Sequence, residues 1–106
     1  MKNCGIIFTA PCVAELVSTE IAPPGICEVQ VKLAVSTVSS GTERANLIGD
    51  PNVGWDIGPS VVFPRKTGYS SAGVVTAVGE GITDLQIGDR VAMSWSLHSQ
   101  HINLKR

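Results

Sequence analysis

The side chains of this chain that could do chemistry at once are two histidines, three cysteines, an acid–base neighbour pair and two loop aromatics. His98 and His101 stand in an H-x-x-H spacing. On a strand, residues three apart face opposite sides, so one metal ion reaches both only if Ser99-Gln100 lies in a turn. Solvated or core-edge imidazoles are the favoured alternative, although neutral imidazole remains a competent metal ligand. Cys4, Cys12 and Cys27 are odd in number, lie within or beside apparent strands and form no C-x-x-C pair, which points to buried, reduced thiols. Glu43 and Arg44 either pair locally or face water, the commoner outcome for such neighbours. Trp55 and Phe63 either line a substrate cleft or anchor the loop that carries them.

The elements that must position these groups are mostly strands. Cys4 to Thr9 and Cys12 to Ser18 read as a hairpin around Ala10-Pro11, and Ala22-Pro23-Pro24-Gly25 as a stiff turn, because each proline fixes φ and lacks an N–H. Glu28 to Val38 alternates Val29, Val31, Leu33 and Val35 against Gln30, Lys32, Ala34 and Ser36, the pattern of a half-buried strand. Thr42 to Ile48 suits a short helix with Ser40 or Thr42 as its cap and Gly49 as its stop. The Gly, Pro, Asn and Asp density from Gly49 to Arg65 predicts a long surface loop, a common carrier of function. No internal repeat or low-complexity segment is present.

Composition narrows the possible functions. With 106 residues and 43% hydrophobic content the chain makes one domain with a modest core. A net charge of -1 and a pI near 6.0 supply no basic field, so nucleic acid and anionic membranes are not expected partners. No stretch approaches the roughly 20 apolar residues of a membrane helix. Pro11 and Glu15 interrupt the N-terminal apolar run where a signal peptide would continue, so a cytoplasmic location is the expectation.

The segment Gly68 to Val91, GYSSAGVVTAVGEGITDLQIGDRV, is the most specific signal. Ala72 to Val78 is β-branched and uncharged, as in a strand buried on both faces. Gly79-Glu80-Gly81 then bends the chain. Ile82, Leu85 and Ile87 are expected to tuck inward, Asp84 to serve a turn, and Gly88-Asp89 to form a tight turn into a return strand, Arg90 to Trp95. Another strand is expected to begin in Ser99 to Leu104. This order of strand, Gly-Glu-Gly bend, apolar loop and Gly-Asp-Arg-Val turn resembles the GroES-like N-terminal domain of the medium-chain, alcohol dehydrogenase-like dehydrogenases and reductases. The resemblance implies a mainly β, partly open GroES-like barrel with one or two short helices, filling 1–106 as a single domain.

The same resemblance assigns positions in the chemistry. In zinc-dependent members a pattern like G-I-C-H-[ST]-D-x-H supplies a zinc ligand from Cys and a proton-passing hydroxyl from Ser/Thr. Counted back from Gly49, the Cys position is Ser40, the hydroxyl position Thr42, the Asp position Glu43 and the relay His position Ala45. A second ligand, the His of a G-H-E motif, falls on Tyr69 in Gly68-Tyr69-Ser70. Catalytic zinc normally needs three protein ligands from Cys, His or carboxylate, and an alcohol and a phenol of pKa about 10 are poor replacements. No zinc is therefore expected. Thr42 can instead hydrogen-bond a substrate oxygen or merely cap the helix. Tyr69 can donate a proton or polarise a carbonyl, or merely pack the ribbon. Ser39 to Arg44 also resembles an SGTE-type variant in one branch of the family.

The resemblance further implies NAD or NADP as cofactor, yet the G-x-G-x-x-G fingerprint of a Rossmann domain is missing. Gly79-Glu80-Gly81 is followed by Ile82-Thr83-Asp84, without the third glycine. The expectation is the substrate-side domain of a longer NAD(P)-dependent oxidoreductase acting on a small alcohol or carbonyl. It would be inactive alone, its cofactor bound by a Rossmann domain outside this chain and any homo-oligomer formed through the full-length protein. The alternative is a free-standing GroES-like binding or assembly module without enzymatic activity.

Overall fold

A computed structural model of the protein describes residues 1–50 and 62–106. Trp55 and most of the expected long loop lie outside the described residues. The described chain is mainly β with one short helix and two sheets that close only partly into a barrel. β1 (Lys2–Ala10) and β2 (Val13–Glu20) form the first hairpin, and their turn falls at Pro11-Cys12. β3 (Glu28–Ser36) precedes α1 (Ser40–Ile48), and β4 (Arg65–Lys66) follows the undescribed segment. β5 (Ser70–Val78), β6 (Arg90–Ser94) and β7 (His101–Lys105) complete the order.

One sheet runs β2-β1-β4 and the other β6-β5-β3-β7, antiparallel at every pairing. The two are stitched where β1 meets the segment before β7: the Ile6 N–H donates to the His98 carbonyl at 2.9 Å and the Gln100 N–H to the Cys4 carbonyl at 2.8 Å.

The core belongs to the four-stranded sheet. Val29, Val31, Val75, Met93 and Ile102 are buried together, with Leu33, Ile82, Leu85, Val91, Leu97 and Leu104 against them. Val31 and Val75 are fully buried, each worth about 1.5–3 kcal/mol of apolar transfer. Period-2 alternation places them, but it breaks where a register shift lies between Leu33 and Val35. The extra residue reverses the faces beyond it, so Val35 is exposed rather than inward.

Other expectations also need correction. β5 alternates between buried and exposed residues and is not buried on both faces: Val75 is inside while Val74 and Thr76 face out. Its apolar run fills only one side, because successive residues of a strand point to opposite faces and only one face is buried here. Ile87 is exposed, since it sits in the turn held by Asp89 (Gln86 N–H to Asp89 Oδ2, 2.9 Å), whereas Ile82 and Leu85 do reach the core. Cys12 and Cys27 are exposed and Cys4 half-buried, against the expectation of buried thiols. The first two occupy turns with φ of 63° and 59°, outside the strands that would have buried them. Gly81 and Gly88, at φ 89° and 98°, do supply the expected bends.

Candidate functional site

α1 carries the first two candidate hydroxyls. Its N-cap is Ser39, not Ser40 or Thr42, and it makes no side-chain capping bond to the helix backbone. Ser39 Oγ only approaches Thr42 Oγ1 at 3.4 Å. Gly49 ends the helix as expected, in the left-handed conformation at φ 76°. Ser40 and Thr42 are both exposed, so their hydroxyls are open to a ligand. Neither side chain joins Tyr69 in a hydrogen bond.

Tyr69 stands at the start of β5. The preceding Gly68 is required by close approach, because a Cβ there would collide with the carbonyl oxygen of Ser96. That contact lays Tyr69 beside the end of β6. Its ring meets Trp95 edge to face, centroids 5.6 Å apart and planes at 84°, a favoured aromatic geometry. Both are exposed, Tyr69 by 49% and Trp95 by 74%, which leaves the phenol free to act as donor toward a bound oxygen. Below them Ser71 Oγ and Ser96 Oγ share a buried 2.6 Å hydrogen bond. Phe63 is half-buried at the far edge of the undescribed loop.

Glu43, the helix residue next to Thr42, joins a polar cluster that was not anticipated from the sequence. The His98 Nε2–H donates to Glu43 Oε1 at 2.7 Å, and the Thr67 hydroxyl donates to Glu43 Oε2 at 2.7 Å. His98 Nδ1 and Ser36 Oγ are 2.8 Å apart. Because a carboxylate only accepts, the hydrogen between His98 and Glu43 sits on Nε2. The side chains of His98 and Glu43 keep only 9% and 14% of their accessible surface. Glu43 therefore neither pairs with Arg44 nor faces water, and His98 is a core-edge histidine with both ring nitrogens engaged. One signal was available, an acid in the first turn of a helix beside an unassigned histidine. Nothing local joins residues 55 apart in sequence.

His98 and His101 do not converge. His98 turns to Ser36 and Glu43, while His101 opens β7 with its N–H on Asn3 Oδ1 at 2.8 Å. Both line a cavity of about 220 Å³ between the hairpin and β7 that none of Ser40, Thr42 or Tyr69 lines. Among the described residues no three His, Cys, Asp or Glu side chains gather into a metal-binding group. Nor does the Gly79-Glu80-Gly81 turn fit a dinucleotide, because the chain continues into the core residues Ile82 and Leu85 without a helix. The shifted titrations belong elsewhere: the Arg106 guanidinium, hydrogen-bonded to Asp84, holds that carboxyl below its usual range.

Comparison with known proteins agrees with this architecture. A family model described as the alcohol dehydrogenase GroES-like domain matches residues 20–105. The S-(hydroxymethyl)glutathione dehydrogenase of Synechocystis sp. is 38% identical over 77 residues, 73% of this chain and 19% of that protein. The human synaptic vesicle membrane protein VAT-1 homolog-like protein superposes with a TM-score of 0.80 at 16% identity, covering 99% of this chain and 33% of that one. Escherichia coli quinone oxidoreductase, solved in complex with NADPH, gives 0.62 at 20% identity over 99% of this chain and 31% of that one. The chain thus spans about a fifth of the curated relative and a third of the structural neighbours.

Proposed function

Since the chain belongs to the alcohol dehydrogenase GroES-like domain family of the medium-chain dehydrogenases and reductases, we propose that it is the substrate-side domain of a zinc-independent, NAD(P)-dependent oxidoreductase, inactive by itself. The observation that carries this reading is the replacement of both ligand positions by exposed hydroxyls, Ser40 on α1 and Tyr69 immediately before β5. A dinucleotide held outside this chain supplies the hydride. As that hydride reduces a small carbonyl to its alcohol, Tyr69 donates a hydrogen bond or proton to the carbonyl oxygen and Thr42 hydrogen-bonds the same oxygen. In the reverse oxidation the alcohol gives its hydride to the oxidised dinucleotide and its proton to the Tyr69 oxygen. Ser40 contributes a further hydroxyl where the metal-binding members place a thiolate. Trp55 and Phe63 line the apolar side of the substrate cleft. The NADPH complex of the Escherichia coli neighbour supports a nicotinamide cofactor, and the location is cytoplasmic.

Two measurements test the reading. Reading the gene past Arg106 should reveal a βαβ unit with a Gly-rich fingerprint within roughly a hundred residues. A stop codon there would instead favour a free-standing binding module. Metal analysis of protein purified without added metal should find no stoichiometric zinc, and finding it would overturn the zinc-independent assignment.

A further inference from the structure

α1 is a helix with little of its own to hold it in place. It has nine residues and no side-chain cap bonded to its backbone, and its one buried residue is the polar Asn46, whose Nδ2–H donates back to the Thr42 carbonyl within the helix. A helix this short is marginal without tertiary support. What ties its first turn to the barrel is Glu43, both of whose oxygens accept hydrogen bonds from other segments, from His98 and from Thr67.

The partners of Glu43 are placed so that this contact reaches the whole mouth. Glu43 adjoins Thr42 and follows Ser40 by three positions. Thr67 precedes Tyr69 by two, and His98 follows Trp95 by three. The His98 backbone repeats the link, its N–H donating to the Thr67 carbonyl at 3.2 Å while its own carbonyl accepts from Ile6 on β1. Ser36, at the end of β3, fixes the other side of the imidazole.

We infer that Glu43 and His98 are a positioning pair for the candidate site: their part-buried contact, completed by Ser36 and Thr67, sets α1 against the Tyr69–Trp95 segment and so fixes Ser40 and Thr42 relative to Tyr69. The pair touches no reacting atom. It orients the hydroxyls that do, an arrangement that costs nothing to reorganise during a reaction. The inference rests on the proposed role of Ser40, Thr42 and Tyr69, but its readouts do not.

The test is NMR on the 106-residue chain, which needs neither cofactor nor substrate. In the wild type, the His98 ring nitrogens should show hydrogen on Nε2 and an engaged Nδ1. Glu43→Ala should raise amide hydrogen exchange across residues 43–47 at least about tenfold and move the Tyr69 and Trp95 ring resonances, while Val31 and Val75 amides keep their protection, as local opening requires. Glu43→Gln, which can still accept from His98, should restore α1 protection and return both rings toward their wild-type shifts. Unchanged exchange and ring shifts in Glu43→Ala would overturn the inference, as would equal loss of protection in the core. If Glu43→Ala does not fold, the wild-type His98 spectrum and Glu43→Gln decide: a His98 ring lacking hydrogen on Nε2, or an unprotected α1 in Glu43→Gln, refutes the pair. Were Tyr69 and Thr42 found dispensable for hydride transfer while these results held, the functional reading would fail and the pairing would stand.

Discussion

Two polar regions share α1 and meet opposite fates. The candidate hydroxyls and their aromatic neighbour, Ser40, Thr42, Tyr69 and Trp95, are exposed, whereas Ser36, Glu43, Thr67 and His98 have their polar atoms mutually engaged. Thr42 and Glu43 are neighbours in sequence, yet one hydroxyl is open to a ligand and the next side chain is locked inside. The difference separates two jobs that polar residues do. Buried polar groups must be satisfied and so become rigid, while exposed ones stay available because water satisfies them until a ligand does.

The comparison is sharpened most by activity. In an oxidoreductase containing this domain, Tyr69→Phe should lower kcat/KM for a carbonyl substrate on the order of 100-fold, the lower range for loss of a positioned proton donor. The urea midpoint of the same variant should stay close to wild type, because the phenol hydroxyl is exposed. An unchanged rate would remove Tyr69 from the chemistry.

Stability should sort the other way. Val75→Ala, at a fully buried position of the four-stranded sheet, should cost about 2.5 kcal/mol in urea unfolding, from two lost methylene equivalents and the cavity they leave. Glu43→Ala should cost about 2 kcal/mol by leaving His98 and Thr67 without their acceptor. Thr42→Ala on the same helix should stay within about 0.5 kcal/mol, as exposed substitutions do. Equal losses for Glu43→Ala and Thr42→Ala would erase the distinction between the two regions.

The smallest effect belongs to an exposed pair remote from both. Arg106 lowers the Asp84 carboxyl below its ordinary value of 3.8, so the native state binds that proton less readily than the unfolded chain. Its stabilising contribution is present above the unfolded value and is lost as pH falls through the lower native one. Asp84→Asn should therefore destabilise slightly at neutral pH, less so at high salt, and not at all in strong acid. A chemical-denaturation series against pH checks this sign.

Much of the barrel was legible because β-branched alternation and glycine-marked bends are local. Val29 and Val31 were placed inside by period alone, and Gly49, Gly81 and Gly88 marked turns through their conformational freedom. Val35 and Ile87 were misread because a bulge and a tight turn reverse a face without changing the composition around it. The candidate hydroxyls could be named from a motif, but the sequence left Glu43 between a pair with Arg44 and solvent, and His98 as a solvated or core-edge imidazole with no named partner.

By itself, then, the sequence determined the family, the strand order through Gly88-Asp89-Arg90-Val91, and which residue types stand where metal-binding members carry ligands. These are properties of short segments, set by side-chain period, backbone freedom and donor chemistry. Tertiary structure alone decided that Glu43 is hydrogen-bonded to a histidine 55 residues away, that Tyr69 meets Trp95 edge to face, and that the cysteines of the turns are exposed. Each depends on how the two sheets close and where α1 comes to rest. Contacts between distant segments arise only when the fold brings them together, because burial and hydrogen-bond satisfaction are settled by the whole chain at once.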